Sequence, residues 1–321
     1  MQHLSTLLFF LLASVFVFAV PSYFIEKAPV VVSLQVRDKL ILVEGEADGQ
    51  AGYFLFDTGA SELILNEAYF PRYEHYNPEM YFADATGQKT IYGYSYISSF
   101  SWGGLRREEF YAPRISLLTL EERLGERLLG IIGYEVLRHV DMELDYYQGT
   151  ITLLRPGPDM SSRSFSVNPD YSFDFRLDRH LPVLNASLGD AEGLSMAIDS
   201  GSSVNVCARR LRRKLKSKAL QKRTISVQGA VGMIEQSPYF VMESLQVENT
   251  FSIAYCRVAL GNLDALEEYG FRIDGLLGVN FFRLGRVYLS YQARRILVWL
   301  EENDYTLRHS AMPPLAGLSA K

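Results

Sequence analysis

The chain has 321 residues, 48% apolar and 21% charged, enough to bury one large or two medium cores. Its 12 prolines and 24 glycines are dispersed, which suits a loop-rich β protein and not a disordered one. A formal net charge of -5 offers no field suited to nucleic acid and excludes that class of partner.

The N-terminus stands apart. Leu4 to Val20 is 17 residues of almost unbroken Leu, Phe, Val and Ala, followed by Pro21-Ser22. This reads as the apolar region of a signal peptide, with Val17-Phe18-Ala19 as an imperfect cleavage site. The same length sits at the short limit for spanning hydrocarbon, so a retained membrane tether through residues 4–20 is the alternative. Both readings of residues 1–21 export the rest of the chain: periplasmic, extracellular, or anchored and facing outside the cytoplasm.

Val30 to Val36 and Leu40 to Glu46 follow as strands, then Asp48-Gly49-Gln50 as a turn. Gly52 to Phe56 is a short apolar strand that delivers Asp57 into a tight turn, Asp57-Thr58-Gly59-Ala60-Ser61, and Glu62 to Asn66 leaves that turn extended. Residues 67 to 87 read as irregular. Lys89 to Trp102 alternates with a strand period, Gly103-Gly104 closes a hairpin, and Phe110 to Ile115 is a further strand. The spacing of Leu117, Leu120, Leu124 and Leu128 predicts a short amphipathic helix. After Leu129-Gly130-Ile131-Ile132-Gly133 come a short helix from Tyr134 to Arg138 and a hairpin of Asp141 to Tyr146 with Thr150 to Leu154. Arg155-Pro156-Gly157-Pro158 and the serines after it form the best linker in the chain.

The second half repeats this plan. Leu181 to Leu188 and Leu194 to Ile198 lead to Asp199-Ser200-Gly201-Ser202-Ser203. A helix is predicted over Leu211 to Leu220, and a Gly-rich hairpin turn over Gln228 to Gly232. Leu245 to Val258 is strand-rich, and Asp274-Gly275-Leu276-Leu277-Gly278 answers the earlier Gly-apolar-apolar-Gly segment. Asp57 to Gly130 spans 73 residues and Asp199 to Gly275 spans 76, while Gly133 to Leu144 and Gly278 to Leu289 are both 11. A period of about 140 residues is too long for a solenoid unit and suits two whole lobes.

Two lobes related by a pseudo-two-fold axis set equivalent residues face to face. With Asp57 and Asp199 at that axis, the carboxyl groups come within about 3 Å and cannot both ionise cheaply. One then takes a proton from a water while the other, still protonated, stabilises the oxygen of a carbonyl under attack. Gly59 and Gly201 allow close backbone approach and supply N–H donors. Thr58 and Ser200 are placed to bond across the lobe boundary, and Ser61 and Ser203 to reach the outer carboxylate oxygens. Each tripeptide alone is an ordinary turn; the doubling, with apolar strands before and matched glycine segments after, points to chemistry.

In these features the chain resembles the aspartic proteases, for which a proton shared by two carboxyls is established. The likeness covers most of residues 30 to 300 and includes Ile131-Ile132-Gly133 and Leu276-Leu277-Gly278, which in that family thread beneath the aspartates. The length is near that of the two-lobed pepsin-like enzymes, whereas the compact lobes and Asp-Thr-Gly-Ala resemble fused retropepsin-type domains. The resemblance implies an all-β fold of two homologous barrel lobes, 22–158 and 159–302, with the site in the cleft between them and a loose tail over 303–321. It also implies an endopeptidase that binds an extended peptide under a flap hairpin, needs no cofactor and works as a monomer. Flap candidates are Tyr92-Gly93, with Tyr94 as competitor, and Gly229-Ala230-Val231-Gly232. The other reading is an inactive peptide-binding or inhibitory module on the same scaffold. Activity is expected from acid to near-neutral pH.

Cys207 and Cys256 fit either a disulfide or two buried thiols. Residues 209 to 223 hold nine Lys and Arg, a solvated helix face or a contact for an anionic surface or acidic substrate. Asn185-Ala186-Ser187 is a glycosylation sequon only in a eukaryotic source. The five histidines show no zinc spacing, so no metal is expected.

Overall fold

The computed structural model describes residues 23–71, 81–83, 89–91, 93–157, 165–228 and 234–301. It is all-β in character, 55% strand and 12% helix.

In the first half, Val30–Arg37 pairs with Leu40–Ala47, which pairs with Gln50–Phe56. Gln50–Phe56 runs parallel to Leu128–Ile132, and that strand is antiparallel to Ile64–Asn66. Ile64–Asn66 lies parallel to Leu105–Ile115, the partner of Gly93–Trp102. The ring closes where Gly93–Trp102 returns to Leu40–Ala47 through Glu46↔Ser101 and Ala47↔Phe100, giving a six-stranded barrel. Large side chains fill it: Phe54 meets Phe100 edge-on at 5.6 Å, and Phe56 and Trp102 are buried beside each other.

The second half traces the same order of pairings. Leu181–Leu188 pairs with Ala191–Ile198, which runs parallel to Gly275–Leu277. Asn205–Ala208 is antiparallel to that strand and parallel to Arg257–Gly261, the partner of Ile234–Val241. Here the long strand pair is bent, and the ladder crosses the bend through Met242 N–H to Cys256 O (2.8 Å) and Tyr255 N–H to Glu243 O (2.7 Å). Past the bend, Ser244–Val247 pairs with Phe251–Ala254 and with Leu181–Leu188.

The halves meet edge to edge. Asp141–Asp145 is antiparallel to Gly285–Ser290, at the middle of a six-stranded run from Val30–Arg37 to Tyr171–Asp174. Glu143 and Tyr288 stand at the same place in the two repeats and pair with each other. Buried Tyr288 Oη donates to buried Asp141 Oδ2 at 2.8 Å, and Arg286 bonds to Glu143 at 3.2 Å. The main apolar core is continuous across this seam, from Trp102 through Leu144 and Leu289 to Phe281.

Several expectations need correction. The first helix spans Leu118–Leu124 and stops at Gly125, which takes φ 66°. Leu128 is therefore not helical; it opens the Leu128–Ile132 strand, where its carbonyl accepts from Asn66 Nδ2 at 2.9 Å. Tyr81–Ala83, read as irregular, pairs with Lys89–Ile91. The short strands Tyr171–Asp174 and Arg176–Asp178 and the helix Asp264–Glu268 went unread, because segments of three to five residues carry too little periodicity. The signal or anchor over 1–21, Tyr92, the linker serines, Gly229, Gly232 and the tail over 303–321 lie outside the described residues.

Candidate active site

Two parallel strand pairs end side by side. Gln50–Phe56 lies beside Leu128–Ile132 in register Phe56↔Ile132, and Asp57 N–H donates to Ile132 O at 3.0 Å. Ala191–Ile198 lies beside Gly275–Leu277 in register Ile198↔Leu277, and Asp199 N–H donates to Leu277 O at 2.9 Å. Each aspartate thus leaves a strand whose partner fixes its backbone nitrogen.

After the pairing, the glycine segment crosses under the turn. Tyr134 N–H donates to Ala60 O at 2.9 Å, and Val279 N–H to Ser202 O at 2.8 Å. The approach is too close for a side chain. A Cβ on Gly133 would meet Glu62 O at 2.5 Å, and one on Gly278 would meet Ser202 O and Val204 O at 2.5 Å.

The two turns are bonded to each other through buried groups. Thr58 Oγ1 donates to Ile198 O and Ser200 Oγ to Phe56 O, both at 2.9 Å. Thr58 N–H donates to Ser200 Oγ and Ser200 N–H to Thr58 Oγ1, both at 3.0 Å. Neither Thr58 nor Ser200 has any exposed surface, so each bond replaces water that the group gave up on folding.

This lock sets the carboxyl groups of Asp57 and Asp199 close together: a Cβ on Gly59 would lie 2.4 Å from Asp199 Oδ1 and 3.1 Å from Asp57 Oδ1. Gly59 N–H donates to Asp57 Oδ1 at 2.7 Å, and Gly201 N–H to Asp199 Oδ1 at 3.0 Å. A Cβ on Gly59 would collide with Asp199, and one on Gly201 with Asp57. Burial raises both carboxyls above the ordinary range. For Asp57 the N–H groups of Gly59 and Ala60, the Asp199 side chain and the nearby His180 work against that rise. For Asp199 the neighbouring Asp57 charge adds to it, so the two do not ionise together and the pair retains a shared proton.

The outer serines do something other than expected. Ser61 is exposed, and its carbonyl accepts from Glu135 N–H at 3.0 Å. Ser203 Oγ accepts from Arg123 Nη2 at 3.4 Å, and Ser202 Oγ donates to Val204 O at 2.8 Å. Arg123 also pairs with Asp38 at 2.5 Å within the first half, so its bond to Ser203 ties the second turn to the first half. Among the flap candidates, Gly93 opens the Gly93–Trp102 strand in register with Arg114 of Leu105–Ile115.

Two contributors were missed. Buried Asn205 accepts from Gly278 N–H at 2.9 Å and donates to Arg257 O at 3.1 Å, holding the second crossing segment. His180 places Nε2 2.9 Å from Gly59 O. Its one legible signal was position: it precedes Leu181–Leu188 as Lys39 precedes Leu40–Ala47.

Cys207 and Cys256 are both buried free thiols. In the basic run, Arg210 pairs with Glu267 and Asp274 and Lys218 with Asp190, while Arg212, Lys216, Lys222 and Arg223 line an open groove with Phe240 at its wall.

An aspartyl protease family model matches residues 184–281, the stretch from the strand before Asp199 to just past Gly278. Over that stretch, 98 of the 321 residues, the chain is similar to the aspartyl protease family. The match supports a protease-like function in general terms. No curated protein matches the chain.

Proposed function

We propose that this protein is an aspartic endopeptidase that hydrolyses peptide bonds with Asp57 and Asp199 as its catalytic residues. The observation that carries the reading is the juxtaposition of two largely buried carboxyls, each backed by the N–H of its own turn glycine. In the singly protonated pair, Asp57 is the carboxylate and Asp199 the acid. Asp57 takes a proton from a water held between them as that water adds to the peptide carbonyl carbon. Asp199 donates its proton to the carbonyl oxygen, so the tetrahedral intermediate is uncharged at that oxygen. Collapse breaks the C–N bond: the amine leaves with a proton from the pair and the second product is a carboxylic acid. No covalent enzyme intermediate forms.

Residues 22–158 and 159–302 act as the two lobes of this enzyme, with an extended peptide lying across their junction. Export, by way of the Leu4 to Val20 segment, places the reaction outside the cytoplasm.

Digestion of a mixed peptide library tests the reading. The wild type is expected to cleave it, a statine-type inhibitor, whose hydroxyl stands where the water would, to stop cleavage, and Asp57→Asn or Asp199→Asn to lower turnover by at least about 10³-fold with the fold retained. Peptide binding without cleavage by the wild type would leave a peptide-binding module instead.

A further inference from the structure

His180 belongs to the second half, yet its ring reaches the first active-site turn. It sits between Arg176–Asp178 and Leu181–Leu188, after Arg179 at φ 56°. The ring is edge-on to Phe271 at 5.4 Å and tilted against Tyr134 at 6.3 Å. These contacts hold it half-buried with Nε2 on Gly59 O. A carbonyl only accepts, so the bond requires the proton on Nε2.

The bond acts on one peptide group. The carbonyl of Gly59 accepts from His180, the N–H of the same peptide, that of Ala60, closes the turn on Asp57 O at 3.3 Å, and the Gly59 N–H donates to Asp57 Oδ1 at 2.7 Å. A donor on the oxygen of a peptide strengthens the donation of its N–H. The second turn lacks the matching device, because the residue in the equivalent place is Lys39, which is exposed. An otherwise matched pair of carboxyls is therefore supported unequally.

We propose that His180 is a positioning residue for the carboxyl pair: by donating Nε2–H to Gly59 O it holds the first turn's N–H groups on Asp57 and makes Asp57, not Asp199, the ionised partner. The proposal rests on the hydrolytic reading of the pair given above. The charged and titratable groups facing the imidazole are Asp57 across the junction, Tyr134 from the first half, and Asp178 and Arg179 on its own turn. Asp178 is itself engaged by Arg176 at 3.5 Å and by Arg272 N–H at 2.7 Å, and Arg179 lies over the Phe271 ring. Burial lowers the His180 titration, so the ring is neutral toward neutral pH and donates as the Nε2 tautomer. Protonation on acidification keeps the same bond and adds a positive charge beside Asp57.

Two full-length variants separate donation from packing. His180→Phe keeps a ring against Phe271 and Tyr134 but has no donor; His180→Gln places an amide N–H where Nε2 stood. In His180→Phe, kcat is expected to fall about 3- to 10-fold with KM little changed, the loss of one such bond. The acid limb of its kcat/KM profile moves to higher pH, because Asp57 becomes harder to ionise. His180→Gln keeps most of kcat and the parent limb. Carbon-13 NMR of the Asp57 and Asp199 carboxyls provides a readout without turnover: the Asp57 midpoint rises in His180→Phe and stays in His180→Gln. Unchanged midpoints in His180→Phe overturn the proposal, and so does an equal loss in both variants with the parent pH profile. A wild type that cleaves nothing but shows the Asp57 shift in His180→Phe removes the hydrolytic reading and keeps the role of His180.

Discussion

Thr58 and Ser200, 142 positions apart, exchange backbone and side-chain hydrogen bonds at 3.0 Å, each hydroxyl accepting the other's N–H. Each hydroxyl also donates to the strand that leads into the opposite turn. Four bonds thus fix the separation of the two turns, and the separation of the turns sets that of the carboxyls.

Thr58→Val keeps the shape and removes the hydroxyl, leaving Ser200 N–H and Ile198 O buried without it. A loss of about 1–3 kcal/mol is expected, and the same for Ser200→Ala. The double variant should lose less than the sum, by about 0.5 kcal/mol or more, since both changes break one network. Urea unfolding of the three proteins measures it; strict additivity would mean that the turns do not hold each other.

Gly59→Ala and Gly201→Ala test the contact between turn and carboxyl. A methyl on either glycine enters the space of the other turn's aspartate, so the pair must separate or rotate. Turnover is expected to drop by about 10²-fold or more while the circular dichroism spectrum is kept, because small displacements at reacting groups are costly. Variants that hydrolyse at the wild-type rate would show that the carboxyls need not be this close.

The pair also imposes a pH dependence on stability. Folding raises both titrations, so the folded chain binds protons more tightly than the unfolded one. The stability contributed by the protonated groups is complete below the ordinary carboxyl range and is lost as pH rises through the folded-state titrations. Asp199→Asn cannot ionise and should become more stable relative to wild type as pH is raised from about 4 to about 8, with the Asp57→Asn/Asp199→Asn variant gaining more. Denaturant midpoints across that range report the trend, and a variant-minus-wild-type stability that falls as pH rises would contradict it.

Cys207 and Cys256 provide a simpler check. Both thiols are buried and free, and burial pushes Cys256 up to about 12 and Cys207 higher still. The thiolate is the reactive form, so neither should react appreciably with a thiol reagent in the native protein, and both should react in urea. A native protein that labels at once, or an unfolded one with no free thiols, would refute the assignment.

Sequence by itself determined what is local or repeated. An apolar strand running into Asp-Thr-Gly or Asp-Ser-Gly is a nearest-neighbour pattern, and the matched spacing from each aspartate to its Gly-apolar-apolar-Gly segment required only counting. The strand before Asp57, the short helix after Gly133 and the terminal hairpins could be read for the same reason: periodicity and turn chemistry act over a few residues. The end of the first helix was misplaced because Leu128 continues a helical spacing, while Gly125 and the pairing of Leu128–Ile132 with strand 50–56 override it. Only the tertiary structure decided the closure of the first barrel at Glu46 and Ala47 and what meets across the junction: the Thr58–Ser200 lock, the diversion of Ser203 to Arg123, and the histidine on Gly59. His180 is 121 positions from Gly59, and no local propensity encodes a contact made when two separately patterned halves are packed together.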